Sequence, residues 1–217
     1  MLKAIFFDVD GVLVDSLASH LAICRDKSRE FGLGLKIPDA TELRAMVARG
    51  VTISPMKEFF LAVGFPEPQA ERADEDYRRE FAKRYPLRPF PGATEMLEDL
   101  AEHDIPLGFV TSNTRAIVES ALGSAIEIFK PDLRFTVDDP RRLGKAEALC
   151  RSAEIVQASP AELIYVGDQP KDFEAARSAG TQFVGVTFGW GILAGDARFE
   201  TVGSIEELRD DLLKRIA

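Results

Sequence analysis

The chain has 217 residues, 46% of them apolar and 29% charged, a balance that excludes a disordered protein and leaves enough apolar side chain for a buried core. Its net charge of −9, from 27 Lys and Arg against 36 Asp and Glu, argues against nucleic acid or an anionic membrane as the main partner, because both demand a basic footprint. A small anionic substrate stays open, since a metal ion or a few placed cations can reverse the field locally.

The apolar run at 3–9, "KAIFFDV", predicts a buried strand that delivers Asp8 and Asp10 just ahead of Gly11. These acids interrupt the patch too early for a signal peptide. No stretch approaches the roughly 18 apolar residues of a membrane-spanning helix. Residues 16–86 carry no strand pattern and offer helical stretches near 16–32, 39–48, 54–63 and 67–84, with turn signals at Gly32-Leu33-Gly34, Gly50 and 64–68. A helix follows at 92–103, then strands at 105–111 and 133–137, a helix at 144–155, a strand at 163–168, a helix after Pro170 and a strand at 182–188. Ser204 and Glu207 make a capping box for a last helix through Ile216. Apolar strands alternating with amphipathic helices predict a doubly wound α/β fold with a mainly parallel sheet. The helical block at 16–86 reads as an inserted domain, with linkers near 13–16 and 86–91, and residues 1–15 and 87–217 as the α/β domain. Cys24 and Cys150 lie outside any metal-ligand cluster and are expected to be buried or half-buried, in a protein of the reducing cytoplasm.

In open α/β sheets, ligands bind outside the carboxyl ends of the strands. The predicted strands bring there Asp8 and Asp10, then Thr111, Ser112 and Asn113, then Asp168 with Asp172 close behind; Lys145 opens a helix. Acids gathered in this way repel and raise each other's pKa. A Mg²⁺ ion removes the conflict, because it takes carboxylate oxygens together with waters and substrate phosphate. Lys145 is then placed to hold phosphate oxygens, and Thr111 with the N–H groups after it to hydrogen-bond the transferring group. Metal, cation and fixed donors on the equatorial oxygens are the equipment of phosphoryl transfer. Plainer readings stand beside this one: Asp10-Gly11 as a turn, Asp168 and Asp172 as a helix cap and first-turn acid, Thr111–Asn113 as a cap, Lys145 as a solvated lysine.

The segments "DVDGVLVDS", "VTSN", "GKAEAL" and "YVGDQPKDFEAARSAG" resemble, in order, the four motifs of the haloacid dehalogenase-like (HAD) superfamily. The helical block between the first and second resembles the cap of its phosphoglycolate-phosphatase-like branch. "GVTFGWG" at 185–191 resembles the segment after the fourth motif there. The resemblance implies a Rossmann-like core with a helical cap, and a Mg²⁺-dependent phosphatase acting on a small phosphorylated metabolite such as phosphoglycolate or a sugar phosphate. It implies that Asp8 is the nucleophile forming an aspartyl-phosphate and that Asp10 is the general acid and base. It places the metal on the Asp8 carboxylate, the Asp10 backbone carbonyl and Asp168, with Asp172 behind them and Thr111, Ser112 and Lys145 on the phosphoryl group. Lys130, before Pro131, is a rival for the lysine. Lys145 is preferred because one helix and one strand separate it from Asp168. A monomer or homodimer is expected.

Three alternatives are weaker. The dehalogenase branch lacks the acid that stands here as Asp10. The β-phosphoglucomutase-like branch carries a Glu-Asp pair where this chain reads "VGDQPKD", and an arginine where it has Ile53. A non-catalytic binding protein would not keep every catalytic position filled. "GWGILAG" at 189–195 mis-spaces its glycines for a dinucleotide fingerprint. Trp190 reads equally as a lid-side aromatic or core. Among cap residues His20 is a candidate to face the cleft and Arg49 a candidate for substrate contact, while Arg44, Thr52 and Lys57 compete for specificity against a default of surface placement.

Overall fold

A computed structural model of the chain describes residues 2–85 and 87–216. Six strands form one sheet: β1 (Ala4–Phe7), β2 (Leu107–Val110), β3 (Arg134–Phe135), β4 (Leu163–Gly167), β5 (Gln182–Val186) and β6 (Glu200–Val202). Their order is β3-β2-β1-β4-β5-β6, and every neighbouring pair is parallel. The doubly wound, parallel fold expected from the sequence is therefore present. The strand order reverses between β1 and β4, which opens a crevice at the carboxyl ends of those two strands.

The apolar runs form buried strands because both faces are covered. Alternation along β1 sends Ile5 and Phe7 to one face and Ala4 and Phe6 to the other. The first face packs on α5 (Ala93–Ala101) through Met96, Leu97 and Leu100, on α6 (Arg115–Leu122) through Ile117 and Val118, and on α9 (Ile205–Ile216) through Leu208 and Leu212. The second packs on α7 (Lys145–Ile155) through Ala148, Leu149 and Ala153, and on α8 (Pro170–Ala179) through Ala176 and Ala179.

Between β1 and α5 lie α1 (Leu17–Glu30), α2 (Ala40–Ala48), α3 (Met56–Ala62) and α4 (Glu67–Arg84). Their apolar faces, among them Leu21, Leu43, Phe59 and Phe81, are continuous with the core of the first sheet face. The passages into and out of this segment run side by side, Asp15 N donating to Arg88 O at 3.1 Å and Phe90 N to Leu13 O at 2.9 Å. The sequence-based end of the block, at 86, falls on Pro86, and that proline and the terminal residues Met1 and Ala217 lie outside the described residues. No helix among the described residues is long and apolar enough to cross a membrane.

Several expectations change. β6 was not expected: Glu200–Val202 is a three-residue edge strand with no apolar run to announce it. Cys24 is buried as expected, whereas Cys150 is exposed on the outer face of α7. Ser204 Oγ accepts from Glu207 N at 3.1 Å, but the Glu207 carboxylate reaches back to Gly203 N rather than to Ser204, so the capping box is displaced by one residue.

Candidate active site

Asp8 follows β1 directly, and its N–H still donates to Val166 O of β4 at 2.8 Å, so the side chain leaves the sheet at the crevice. The chain then turns at Gly11, whose φ of +78° is one that other residues adopt at a cost. A Cβ there would lie 2.1 Å from Asp168 Oδ2. This turn lets the first acid pair approach the end of β4. Asp168 is fully buried; its Oδ2 accepts from Trp190 N at 2.6 Å, and its Oδ1 has no partner. Asp172, in the first turn of α8, accepts from Asp168 N at 3.2 Å and Gln169 N at 3.0 Å. Helix capping and site building are thus done by one side chain. Lys145, the first residue of α7, places Nζ 2.6 Å from both Asp8 Oδ2 and Asp172 Oδ1.

Carboxylate oxygens of Asp8, Asp168 and Asp172 lie within 4.8 Å of one another. Three buried acids therefore cluster beside one ammonium group, which bonds two of them, Asp8 and Asp172. Burial pushes the Asp8 carboxyl up to about 6, against the pull of Lys145. Burial, reinforced by Asp172 and Asp8, holds Asp168 well above the ordinary carboxylate range. Burial opposes the charge on Lys145, but Asp172 and Asp8 outweigh it and keep the lysine protonated well above its usual range. The surplus of negative charge, the oxygen-only donor set and the partnerless Asp168 Oδ1 fit a hard divalent cation. Both Asp172 oxygens already face donors, which suits that residue to bracing Asp168 and Lys145 rather than to metal contact.

Above this floor is a cavity of about 50 Å³, room for a few water molecules. Asp8, Asp10, Thr111, Ser112 and Asn113 line its lower side. Ile53, Met56, Phe59 and Trp190, with His20 and Tyr77, line its upper side. Asn113 Nδ2 donates to Asp10 Oδ2 at 2.9 Å, leaving Asp10 Oδ1 buried without a partner. The Tyr77 hydroxyl lies 3.0 Å from Asn113 Oδ1 and 3.1 Å from His20 Nε2. His20 Nδ1 donates to Ser16 O at 2.8 Å, and burial lowers the imidazole pKa.

The structure thus brings Asp8, Asp10, Thr111, Ser112, Lys145, Asp168, Asp172 and His20 to one place. Thr111 Oγ1 accepts from Asn113 N at 3.1 Å, so the threonine also shapes the turn. Lys130 is exposed and distant from this cluster, lining a separate groove with Pro106 and Ile155. Arg49 is exposed at the end of α2, in another groove with Lys36 and Glu42, because α2 turns its polar edge outward. Arg44 donates to Gly189 O, Lys57 pairs with Glu67 and Glu71, and Thr52 is exposed. None of these four lines the cavity. Tyr77, Ile53, Met56 and Phe59 were not anticipated, since each reads as core on an amphipathic helix or turn. The glycines of "GWG" acquire a packing reason. A Cβ on Gly189 would sit 2.5 Å from Gly11 O, and one on Gly191 would sit 2.1 Å from Val47 Cγ1. Trp190 is both core and lining, 5% exposed.

Residues 5–186 match the family model described as haloacid dehalogenase-like hydrolase. A phosphoglycolate phosphatase of Synechococcus elongatus is 30% identical over 199 residues, covering 87% of this chain and 85% of the relative. An N-acetylmuramic acid 6-phosphate phosphatase of Pseudomonas putida is 28% identical over 202 residues, covering 87% and 84%. Among solved structures, a haloacid dehalogenase-like family hydrolase of Streptococcus pneumoniae superposes with a TM-score of 0.78 at 24% identity, covering 100% of this chain and 99% of that one.

Proposed function

The chain belongs to the haloacid dehalogenase-like hydrolases, in their phosphoglycolate-phosphatase-like branch, and on that premise we propose that it hydrolyses phosphomonoesters of small metabolites through a phosphorylated Asp8. One observation carries the reading: of the three buried acids clustered beside Lys145, Asp8 alone lines the cavity.

In this reading residues 16–86 form a cap over a catalytic domain of 1–15 and 87–217, and closure excludes water from the reacting groups. Asp8, the Asp10 backbone carbonyl and Asp168 would hold Mg²⁺, which supplies positive charge to the carboxylates and the phosphoryl oxygens. The Asp8 carboxylate attacks phosphorus, and the bond from phosphorus to the alcohol oxygen breaks. Asp10 protonates that departing oxygen. Because Asn113 occupies Asp10 Oδ2, the transferable proton sits on Oδ1, which faces no other donor or acceptor. Water then returns a proton to Asp10 and adds to phosphorus, the Asp8–phosphate bond breaks, and inorganic phosphate leaves. Lys145 balances charge on Asp8 and the phosphoryl oxygens, while Thr111 and Ser112 orient them.

The test is Mg²⁺-dependent phosphate release from a panel of phosphorylated metabolites, repeated with a chelator and with Asp8→Asn. Release that both treatments abolish is expected. Equal release by wild type and Asp8→Asn would overturn the reading, and glucose 6-phosphate accumulating from β-glucose 1-phosphate would reassign the chemistry to phosphotransfer.

A further inference from the structure

Resting on that reading, we propose that the alcohol half of the substrate is uncharged, and that the site discriminates against phosphate esters carrying a second anionic group such as a carboxylate. The inference comes from the upper side of the cavity. Its apolar members are Ile53, Met56, Phe59 and Trp190, all buried. Beyond the acids and the Thr111–Asn113 turn, the polar members of the lining are Ser54, His20, Tyr77 and Gln169. No lysine or arginine lines this space among the described residues.

Cations that come near are engaged elsewhere. Lys145 lies beneath Asp8 and bonds Asp8 and Asp172. Lys171 directs Nζ to the Ser54 carbonyl, and burial lowers its pKa. Arg44 spends Nε on Gly189 O and a guanidinium nitrogen on Phe188 O. His20 has Ser16 O on one ring nitrogen and the Tyr77 hydroxyl on the other, so neither nitrogen is turned to a ligand. A carboxylate on the leaving group would exchange water for apolar and aromatic walls with nothing to pair it, beside a floor already in surplus of negative charge. A hydroxyl or an alkyl carbon in the same place meets no such penalty, and the aromatic rings offer it dispersion contact.

The site therefore differs in its preferred ester from what the name of the phosphoglycolate-phosphatase relative denotes, although the acids beneath are arranged for phosphoryl chemistry in general. Specificity here comes from withholding a cation, which penalises the wrong substrate and leaves the right one unaffected.

The experiment compares phosphoglycolate with 2-hydroxyethyl phosphate, which replaces the carboxylate by a neutral alcohol at nearly equal size. With saturating Mg²⁺, kcat/KM for 2-hydroxyethyl phosphate exceeds that for phosphoglycolate by about tenfold or more. Ser54→Lys, which adds an ammonium group to the lining at a half-buried position, reduces that ratio by about tenfold. Parity of the two esters, or preference for phosphoglycolate, overturns the inference. A second arm needs no turnover: the rise in melting temperature of Asp8→Asn with each ester and Mg²⁺ is larger for the neutral ester. Loss of phosphate release from every ester would sink the hydrolase reading by itself, and the melting shifts would then still decide the charge preference on their own, equal or reversed shifts overturning it.

Discussion

The two sides of the cavity are built on opposite principles. The floor gathers the carboxylates of Asp8, Asp168 and Asp172 within 4.8 Å of one another, with Lys145 bonded to the first and the last, each at a strand end or in the first turn of a helix. The roof gathers Ile53, Met56, Phe59 and Trp190 with a buried histidine and tyrosine. The floor stores electrostatic tension that a cation and a phosphoryl group relieve. The roof stores nothing of the kind and works by packing and exclusion. The contrast teaches that sheet topology converges charged side chains at a switch point, whereas the proposed choice of ester rests on helices that share the sheet's own core.

Changes to the floor should produce the largest effects and should divide activity from stability. On the proposed mechanism, Asp8→Asn removes the nucleophile and lowers kcat by roughly 10⁴-fold or more. It also removes one charge from a cluster with too many, so the metal-free variant melts no lower than wild type. Calorimetry beside a phosphate-release assay checks both, and a clearly lower melting temperature would contradict the charge surplus. Lys145→Met has the opposite sign for stability. It leaves Asp8 and Asp172 buried without their shared partner, at a cost of about 3–5 kcal/mol. For a domain of this size that lowers the metal-free melting temperature by roughly 10 °C.

The same surplus predicts a pH dependence. The folded-state pKa of Asp8 stands at about 6, above its ordinary value of 3.8. The folded protein thus holds a proton that the unfolded chain has already lost, so metal-free stability falls as pH rises from about 4 through 6. Asp168, also raised, carries the decline further upward. Mg²⁺ competes with these protons, so the melting-temperature gain it confers should grow across the same window. Scanning fluorimetry with and without Mg²⁺ at several pH values measures it; a gain that is flat with pH would separate the metal from these carboxylates.

The floor could be read in the sequence, whereas of the roof only His20 and Trp190 stood among the expectations. Asp8, Asp168 and Lys145 each sit next to a predicted strand or helix boundary, so knowing the element places the side chain. Asp172 is legible for the same reason, four residues on from Asp168. The roof residues lie at 20, 53–59, 77 and 190, and only the packing of α1, α3 and α4 against the loop after β5 brings them together. Their signal is that of any core residue, because apolar spacing shows burial without saying against what. The polar residues Arg44, Arg49, Thr52 and Lys57 carry side chains able to bind a substrate, which is the whole of their sequence signal for specificity. In the structure they face solvent, carbonyls or acids, and their apolar neighbours Ile53 and Met56 do the lining. β6 escaped for a related reason: three residues with a glutamate first carry no periodic signal.

Tyr77 is where roof and floor touch, and the loss of one hydroxyl tests the join. Its ring belongs to the aromatic group around His20 and Phe81, while its hydroxyl meets Asn113, which in turn holds Asp10 Oδ2. Tyr77→Phe keeps the ring and removes the hydroxyl that lies between His20 Nε2 and Asn113 Oδ1, at a cost of about 1–3 kcal/mol. Asn113 Oδ1 keeps the Thr114 N–H at 3.0 Å, so the turn itself survives. What loosens is the orientation of Asp10. If Asp10 is the general acid of the proposed mechanism, misaiming it matters most when the departing oxygen needs its proton, so kcat for an alkyl phosphate should fall several-fold, while kcat for p-nitrophenyl phosphate, whose leaving group departs unaided, should change little. Equal losses on both esters would make Tyr77 a packing residue only, and the floor would then owe nothing to the roof.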